Sequence, residues 1–237
     1  MNDEENNLGK HSLFGLPDAV EFCDKCVYTN QKPNSTVEFR AKRTDKKTGL
    51  KFQGETCISC LYSKVKDTDI DWEERRWKLS KLCDKFRSRN GSYDCIVPGS
   101  GGKDSYYAAL VLKHEFAMNP LTVTWAPHIY TDWGWSNFKN WIDAGLPNYL
   151  YHPNGAVHRF LSRLSLESML HPFQPFILGQ YGFPLRCAKT FNIPLIFYGE
   201  NSAEYGNAIE DNDNPNRQLD VICRIDNEEC FIGGYSE

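Results

Sequence analysis

The sequence predicts an α/β protein in which a parallel, doubly wound sheet follows a small N-terminal module that contains four cysteines. Short apolar segments alternate with helical patterns from about residue 93 onward, and such alternation favours parallel strands joined by right-handed crossovers. One apolar segment runs directly into a glycine-rich turn that begins at Pro98. Two Cys-x2-Cys pairs lie within the first 60 residues. The chain therefore divides into a cysteine-containing part and a strand–helix part.

Composition and charge set limits on the class of protein. The chain has 237 residues, 41% of them hydrophobic and 24% charged, which is typical of one main globular domain with a small appendage. No apolar run approaches the roughly 20 residues of a membrane-spanning helix. Residues 1–7 are acidic and polar, unlike a signal peptide, so we expect a cytoplasmic protein. The net charge of −4 argues against a nucleic-acid partner.

The N-terminal part is predicted to bind a metal ion. We expect a flexible leader over residues 1–21, a metal-binding module over 22–68, a connector helix over 69–92 and the strand–helix domain over 93–237. Two Cys-x2-Cys knuckles can place four thiolates around one tetrahedral ion; the predicted ligands are Cys23, Cys26, Cys57 and Cys60. The polar insert between the two pairs is predicted to form a hairpin, with strands at 37–41 and 50–53 and its tip at 42–49.

Three interpretations of the four cysteines remain open. A four-thiolate site has no open coordination position, so zinc bound there would be structural. An iron–sulfur cluster uses the same ligands, and the thiols could also be unrelated to one another. The sequence favours structural Zn²⁺ over the other two.

Predicted helices and strands follow from the hydrophobic periodicity. Residues 71–89 form a helical pattern, with Asp71 as a candidate N-cap and Asn90-Gly91 as a stop signal. Asn154 is a second candidate N-cap. The predicted strands are 93–97, 121–126, 148–151 and 195–198, and the predicted helices after the connector are 105–118, 136–144, 155–170 and 176–191.

The turn after the first strand is predicted to bind phosphate. Glycines let backbone N–H groups approach an anion closely, and the following helix presents its positive end to the same place. Lys103 adds a positive charge and Asp104 can hold Mg²⁺. The turn departs from the Walker loop because Asp follows the lysine. Its predicted nucleotide-binding residues are Pro98, Ser100, Gly101, Gly102, Lys103, Asp104 and Ser105.

Other candidate residues follow later strands, since ligands of parallel sheets bind beyond the carboxyl ends of the strands. His128 and Asp132 are expected near adenine and ribose, although either is equally well a turn residue. Gly199 is expected at the nucleotide, with Glu200 as a magnesium ligand or orienting group and Asn201 as a donor to a substrate oxygen. The predicted catalytic residues are Lys103, Asp104, Glu200 and Asn201, with Glu204 and Tyr205 as candidate sugar contacts and 208–216 as a solvated acidic loop.

Two resemblances narrow these expectations. Ser100-Gly-Gly-Lys-Asp-Ser105 resembles the PP-loop of the ATP pyrophosphatase superfamily, whose members cleave ATP between its α- and β-phosphates. The wider chain resembles the N-acetyl sugar amidotransferases of bacterial surface-polysaccharide synthesis, including the flagellin pseudaminic acid enzyme. The matching segments are the two cysteine pairs, the PP-loop, and residues 125–135, 153–158, 171–180 and 198–206.

The family resemblance implies a fold of the adenine nucleotide α-hydrolase-like type and an ATP-dependent reaction. It implies that AMP is transferred to the oxygen of a sugar acetamido group, such as those of lipopolysaccharide O-antigens, and that ammonia then gives an acetamidino group. The implied partners are separate glutaminase and ammonia-channel subunits. Members of this family are typically longer, so part of the substrate side is expected to lie outside these 237 residues.

Two alternatives belong to other functional classes. A PP-loop sulfur transferase or reductase would use Cys187 or an iron–sulfur cluster at the four N-terminal cysteines. A non-catalytic adaptor would bind nucleotide weakly and dock a partner through its cysteine module.

Overall fold

A computed structural model describes residues 16–32 and 49–201. The described residues form two compact units: the first contains those up to Ile70 together with Asn201, and the second contains Asp71–Glu200. The predicted leader up to residue 15, most of the predicted hairpin, the sugar contacts Glu204 and Tyr205, and the acidic loop 208–216 lie outside the described residues.

The first unit has little regular structure before its helix. Strand β1 (Phe52–Gln53) pairs antiparallel with strand β2 (Thr56–Cys57), and helix α1 (Ile58–Thr68) follows directly. Its buried cluster consists of Cys23, Leu50 and Cys57, with Tyr28, Phe52 and Ile58 packed around them. Two of the three buried residues in this cluster are cysteines, so thiol groups occupy the place of an ordinary apolar core.

The second unit contains a parallel sheet and five helices within Asp71–Glu200. In chain order its elements are α2 (Trp72–Phe86), β3 (Cys95–Pro98), α3 (Lys103–His114), β4 (Pro120–Trp125), α4 (Asp132–Asp143), β5 (Asn148–Tyr151), α5 (Gly155–Met169) and α6 (Gln174–Phe191). The strands lie in the order β3-β4-β5, and both pairings are parallel. A parallel bridge joins Ile96 of β3 to Ile196. None of the helices in the described ranges is long and apolar enough to cross a bilayer.

Both faces of the sheet are covered because side chains alternate along a strand. Cys95 and Val97 pack with Leu112 of α3 and Trp141 of α4 in one buried cluster. The residue between them, Ile96, packs in a second cluster with side chains of α6. The predicted α/β fold with a parallel sheet is confirmed. The doubly wound arrangement stays a prediction, since within Asp71–Glu200 the sheet consists of three paired strands and the bridge to Ile196.

Capping residues fix several helix boundaries. Asp71 accepts a hydrogen bond from the Glu74 N–H at 2.9 Å, and Asn154 accepts from Ala156 N–H at 3.0 Å, so both predicted N-caps are confirmed. Helix α4 begins at Asp132, four residues earlier than predicted, because the Thr131 hydroxyl caps its first turn. The predicted strand 195–198 is reduced to the bridge at Ile196.

Candidate nucleotide and metal sites

The glycine-rich turn lies at the carboxyl end of β3 and has a shape that only glycine permits. Gly101 has a φ of +89°, and a Cβ placed there would lie 2.4 Å from the Asn137 carbonyl oxygen. Both the backbone angle and the close approach exclude a side chain at this position. The turn therefore packs against the backbone of α4 while it leads from β3 into α3.

Helix α3 begins directly after this turn, and its N-terminus lacks a side-chain cap. Gly102 is the N-cap residue, and no side chain accepts the first N–H groups of the helix. Backbone from the segment after Ile196 closes over the same turn: a Cβ on Gly199 would lie 2.6 Å from Ser105 N. Because no side chain caps this helix, its first-turn N–H groups and the positive end of its dipole are available to an anion.

A cavity of about 190 Å³ opens at this helix end and at the carboxyl ends of β3 and β4. This is the edge at which the sheet geometry predicts a ligand. Of the residues predicted from the sequence, the cavity is lined by Pro98, Ser100, Gly102, Asp104, Ser105, Gly199 and Glu200. Gly99, which belongs to the predicted turn, lines it as well. The residues that sequence reasoning missed are Val123, Trp125, Gln180, Tyr181, Phe183, Pro184 and Tyr198.

The missed residues form an aromatic wall made by β4, α6 and Tyr198. Trp125 sits so close to α6 that a Cβ on Gly179 would lie 2.2 Å from its Cε2 atom, and its ring stacks on Tyr151 with centroids 5.2 Å apart. The position of Trp125 at the end of a predicted strand was a usable signal. Nothing in the sequence indicated that Gln180 and Tyr181 line the cavity, because they lie on α6, which is distant along the chain from the turn after β3.

Carboxylates and one lysine supply the charge at this site. Asp104 and Glu200 both line the cavity, and the Lys103 Nζ atom lies 2.6 Å from Asp104 Oδ1. Lys103 itself lines a neighbouring groove with Tyr107. The lysine side chain is 89% exposed and that of Asp104 53% exposed, so both can reorient toward a ligand. Oxygen ligands of this kind suit Mg²⁺ bound to a phosphate chain.

Other predicted residues lie elsewhere. Neither His128 nor Asp132 lines the cavity; His128 stacks on His158 with ring centroids 4.2 Å apart, and Asp132 is in the first turn of α4. Asn201 belongs to the first unit, where its Nδ2 atom donates to the Tyr62 hydroxyl at 2.7 Å. The roles assigned to these residues stay predictions.

The histidine pair has its own electrostatics. His158 is buried, and its Nε2 atom has no hydrogen-bond partner among the described residues. Burial, together with the nearby His128, lowers the pKa of His158 below its ordinary value. The imidazole is thus held neutral between aromatic neighbours.

The four predicted cysteine ligands come together in the first unit. Their sulfur atoms all lie within 4.8 Å of one another, with Cys23–Cys60 at 3.9 Å and Cys26–Cys57 at 3.6 Å. Four thiolates on one tetrahedral ion with metal–sulfur bonds of about 2.3 Å stand about 3.8 Å apart. An iron–sulfur cluster distributes its thiolates over several irons and spreads them further. The geometry therefore fits a single tetrahedral ion.

Backbone N–H groups favour ionised sulfur at this cluster. Burial opposes ionisation of Cys23, but N–H groups of Cys57 and Lys25, at 3.3 and 3.4 Å from its Sγ atom, outweigh burial and lower the pKa of the thiol to about 6. Burial raises the pKa of the Cys57 and Cys60 thiols. Cys57 also precedes the first turn of α1, so the positive helix end lies beside the cluster.

Comparisons with known proteins give limited similarity. No protein-family model matches the chain. An uncharacterised protein of Methanocaldococcus jannaschii is 28% identical over 101 residues, which cover 43% of this chain and 31% of that protein. An NH3-dependent NAD synthetase from Campylobacter jejuni, solved with nitrate, matches with a TM-score of 0.43 and 15% identity over 57% of this chain and 59% of that chain. The chain thus spans less than two thirds of the length of either protein.

Proposed function

We propose that the second unit binds ATP, with the phosphate chain on the turn between β3 and α3. The observation that carries the proposal is the cavity itself: a turn that demands glycine, an uncapped helix N-terminus and two carboxylates meet at one edge of a parallel sheet. Backbone N–H groups would hold the phosphate oxygens, and Asp104 and Glu200 would hold Mg²⁺, which would neutralise phosphate charge.

We further propose that the reaction is adenylation of an acetamido sugar followed by amidation. The amide oxygen attacks the α-phosphorus of ATP and pyrophosphate leaves; ammonia then adds to the resulting imidate carbon and AMP leaves, which produces an acetamidino group. The sequence resemblance supports this substrate class. An amide oxygen is a poor leaving group, so transfer of AMP to it is what permits attack by ammonia.

The residues at the cavity suit the first step. Negative charge accumulates on departing pyrophosphate, and N–H groups fixed by the turn stabilise that charge without reorganisation. Lys103 would follow the leaving group, since its long exposed side chain can move away from Asp104. The faces of Trp125, Tyr181 and Tyr198 offer apolar area to the base or to the sugar ring.

For the first unit we propose a structural Zn²⁺ bound by Cys23, Cys26, Cys57 and Cys60. Support comes from the sulfur spacing and from N–H groups directed at the thiolates. When bound, the ion would replace the missing apolar core, and it would leave no coordination position for substrate. A separate glutaminase-type partner is proposed as the source of ammonia.

The decisive experiment incubates the protein with ATP, Mg²⁺, ammonium and a panel of acetamido sugars. We expect AMP, pyrophosphate and, by mass spectrometry, a sugar in which NH replaces one oxygen. Release of AMP and pyrophosphate without a nitrogen-containing product would retain ATP cleavage but overturn the amidation step. Absence of Mg²⁺–ATP binding by calorimetry would overturn the whole proposal and favour the adaptor alternative.

The structure gives less support to a sulfur transferase. Cys187 is buried, and burial raises the pKa of its thiol to about 11, whereas a sulfur carrier requires an accessible thiolate. The spacing of the four N-terminal cysteines also fits one ion better than a cluster.

A further inference from the structure

A partly buried chain of hydrogen bonds connects the central sheet to the phosphate-binding turn. The Thr124 hydroxyl of β4 donates to the carbonyl oxygen of Gly99 at 2.6 Å, and Asn148 of β5 donates its Nδ2–H to the Thr124 oxygen at 2.9 Å. Asn148 also donates to Thr122 at 2.8 Å, and Thr122 donates to the Pro147 carbonyl oxygen at 2.8 Å. Both threonine side chains are on residues that are almost completely buried.

The direction of these bonds follows from the donors available. A hydroxyl has one proton, and the carbonyl oxygens of Gly99 and Pro147 can only accept. Each threonine hydroxyl must therefore donate its proton to a carbonyl oxygen, and its own oxygen accepts a hydrogen bond from Asn148. In the reverse orientation the amide oxygen of Asn148 would face the two threonine oxygens, whose protons are already donated to carbonyls. The network itself therefore fixes the orientation of Asn148.

The same bonds determine how the turn leaves the sheet. The Gly99 N–H donates to the Val123 carbonyl at 3.0 Å, so both polar backbone groups of Gly99 are tied to β4. In a trans peptide the carbonyl and the following N–H point in opposite directions, and no peptide bond in the described residues is cis. The N–H of Ser100 is consequently directed away from β4, and Ser100 lines the cavity.

The network is not arranged for stability alone. The Oδ1 atom of Asn148 is buried with no hydrogen-bond partner among the described residues, and an unpaired buried oxygen lowers the free energy of unfolding. An apolar residue at this place would avoid that cost. The Asn148 amide therefore has a use other than stability, which is to hold the Thr124 hydroxyl on the Gly99 carbonyl oxygen.

We propose that Thr124, supported by Asn148, is a positioning residue for the phosphate-binding turn. It touches no substrate; it sets the plane of the Gly99–Ser100 peptide and thereby aims the Ser100 N–H at the phosphate chain. The inference rests on the proposed binding of ATP at this cavity.

The test measures the dissociation constants of Mg²⁺–ATP and Mg²⁺–pyrophosphate by calorimetry for the full chain. Thr124→Val, which removes the hydroxyl and keeps the shape, is expected to weaken both by about tenfold, as loss of one aligned donor would. Thr124→Ser is expected to retain wild-type affinity. The matched control is Thr122→Val, since Thr122 has similar burial and the same Asn148 partner but does not contact the turn.

The outcomes separate the inference from the proposed function. If the wild-type protein binds neither ligand, the proposed function fails. If it binds both and Thr124→Val binds equally well, or Thr122→Val weakens binding to the same extent, the positioning role is wrong. Should Thr124→Val fail to fold, Asn148→Leu is measured in its place, because this change frees the Thr124 hydroxyl to rotate. The expected result is a smaller but measurable loss of affinity for both ligands. Unchanged affinity would overturn the proposal.

Discussion

The two candidate sites collect their ligating groups in opposite ways. In the first unit the groups are side chains, four thiols supplied by two short sequence pairs. In the second unit they are largely backbone N–H groups, which every residue has and which become a site only when a turn exposes them together. A site made of side chains is therefore visible in a sequence, whereas a site made of backbone N–H groups depends on the elements around it.

One feature is common to both sites. The N-cap residues of helices α2, α4 and α5 are Asp71, Thr131 and Asn154, whose side chains accept hydrogen bonds from first-turn N–H groups. The N-cap residues of α1, α3 and α6 are Cys57, Gly102 and Phe173, which provide no such bond, and those of α1 and α3 lie at the two sites. The helix ends that lie at the cysteine cluster and at the cavity are thus left open to thiolate and to phosphate.

The largest effect is expected where the side-chain site is broken. Cys57→Ser replaces a thiolate by a hydroxyl that does not ionise near neutral pH, so the affinity for Zn²⁺ should fall by orders of magnitude and the first unit should unfold with it. Metal content by atomic emission and the circular dichroism spectrum are the measurements. Cys187→Ser, which changes a buried cysteine outside the cluster, should retain a full equivalent of zinc. Normal zinc content in Cys57→Ser would contradict the four-thiolate site.

The next largest effect is expected when a carboxylate is removed from the cavity at the phosphate-binding turn. Asp104→Asn removes a proposed magnesium ligand without changing size, and pyrophosphate release should fall by about 100-fold or more because metal coordination contributes several kcal/mol. The fold should be unaffected, since the side chain is 53% exposed. Asp143→Asn, an exposed carboxylate paired with Lys139 on α4, serves as the control. Equal rates of release in both variants would exclude a metal role for Asp104.

A comparison of adjacent glycines tests the shape of the turn. Gly101→Ala introduces a side chain at positive φ, 2.4 Å from a carbonyl oxygen, and should lower the free energy of unfolding by about 1–3 kcal/mol. At Gly102 a Cβ meets nothing within 4 Å, so Gly102→Ala should leave the free energy of unfolding nearly unchanged. Urea unfolding of both variants measures the difference. Equal stability would mean that the turn has another conformation.

The smallest expected effect concerns His158. Its folded-state pKa is lowered from 6.5 by burial and by His128, so the unfolded chain binds a proton that the folded chain does not. The free energy of unfolding should therefore decrease as the pH falls below 6.5, and the contribution of His158 is fully present above that pH. His158→Phe should flatten this part of the profile of melting temperature against pH. An unchanged slope would assign the acid sensitivity to other groups.

Much of the local structure followed from the sequence. The spacing of hydrophobic residues and the turn residues predicted a strand at 148–151, where the structure has β5 (Asn148–Tyr151). The N-caps Asp71 and Asn154 were identified from their residue types. The glycine-rich turn and the position of Asp104 and Glu200 at one cavity followed from the rule for parallel sheets. These features depend on short segments, so neighbouring residues specify them.

Other features depend on elements that are distant along the chain. The aromatic wall needs α6 to pack against Trp125, and the hydrogen bond from Thr124 to Gly99 joins β4 to the turn after β3. His128 packs on His158 rather than lining the cavity, which the order of strands did not reveal. By itself the sequence determined which groups are chemically able to bind metal and phosphate. The tertiary structure decided which of them meet, because pairing of strands and packing of helices, rather than separation along the chain, set the distances between side chains.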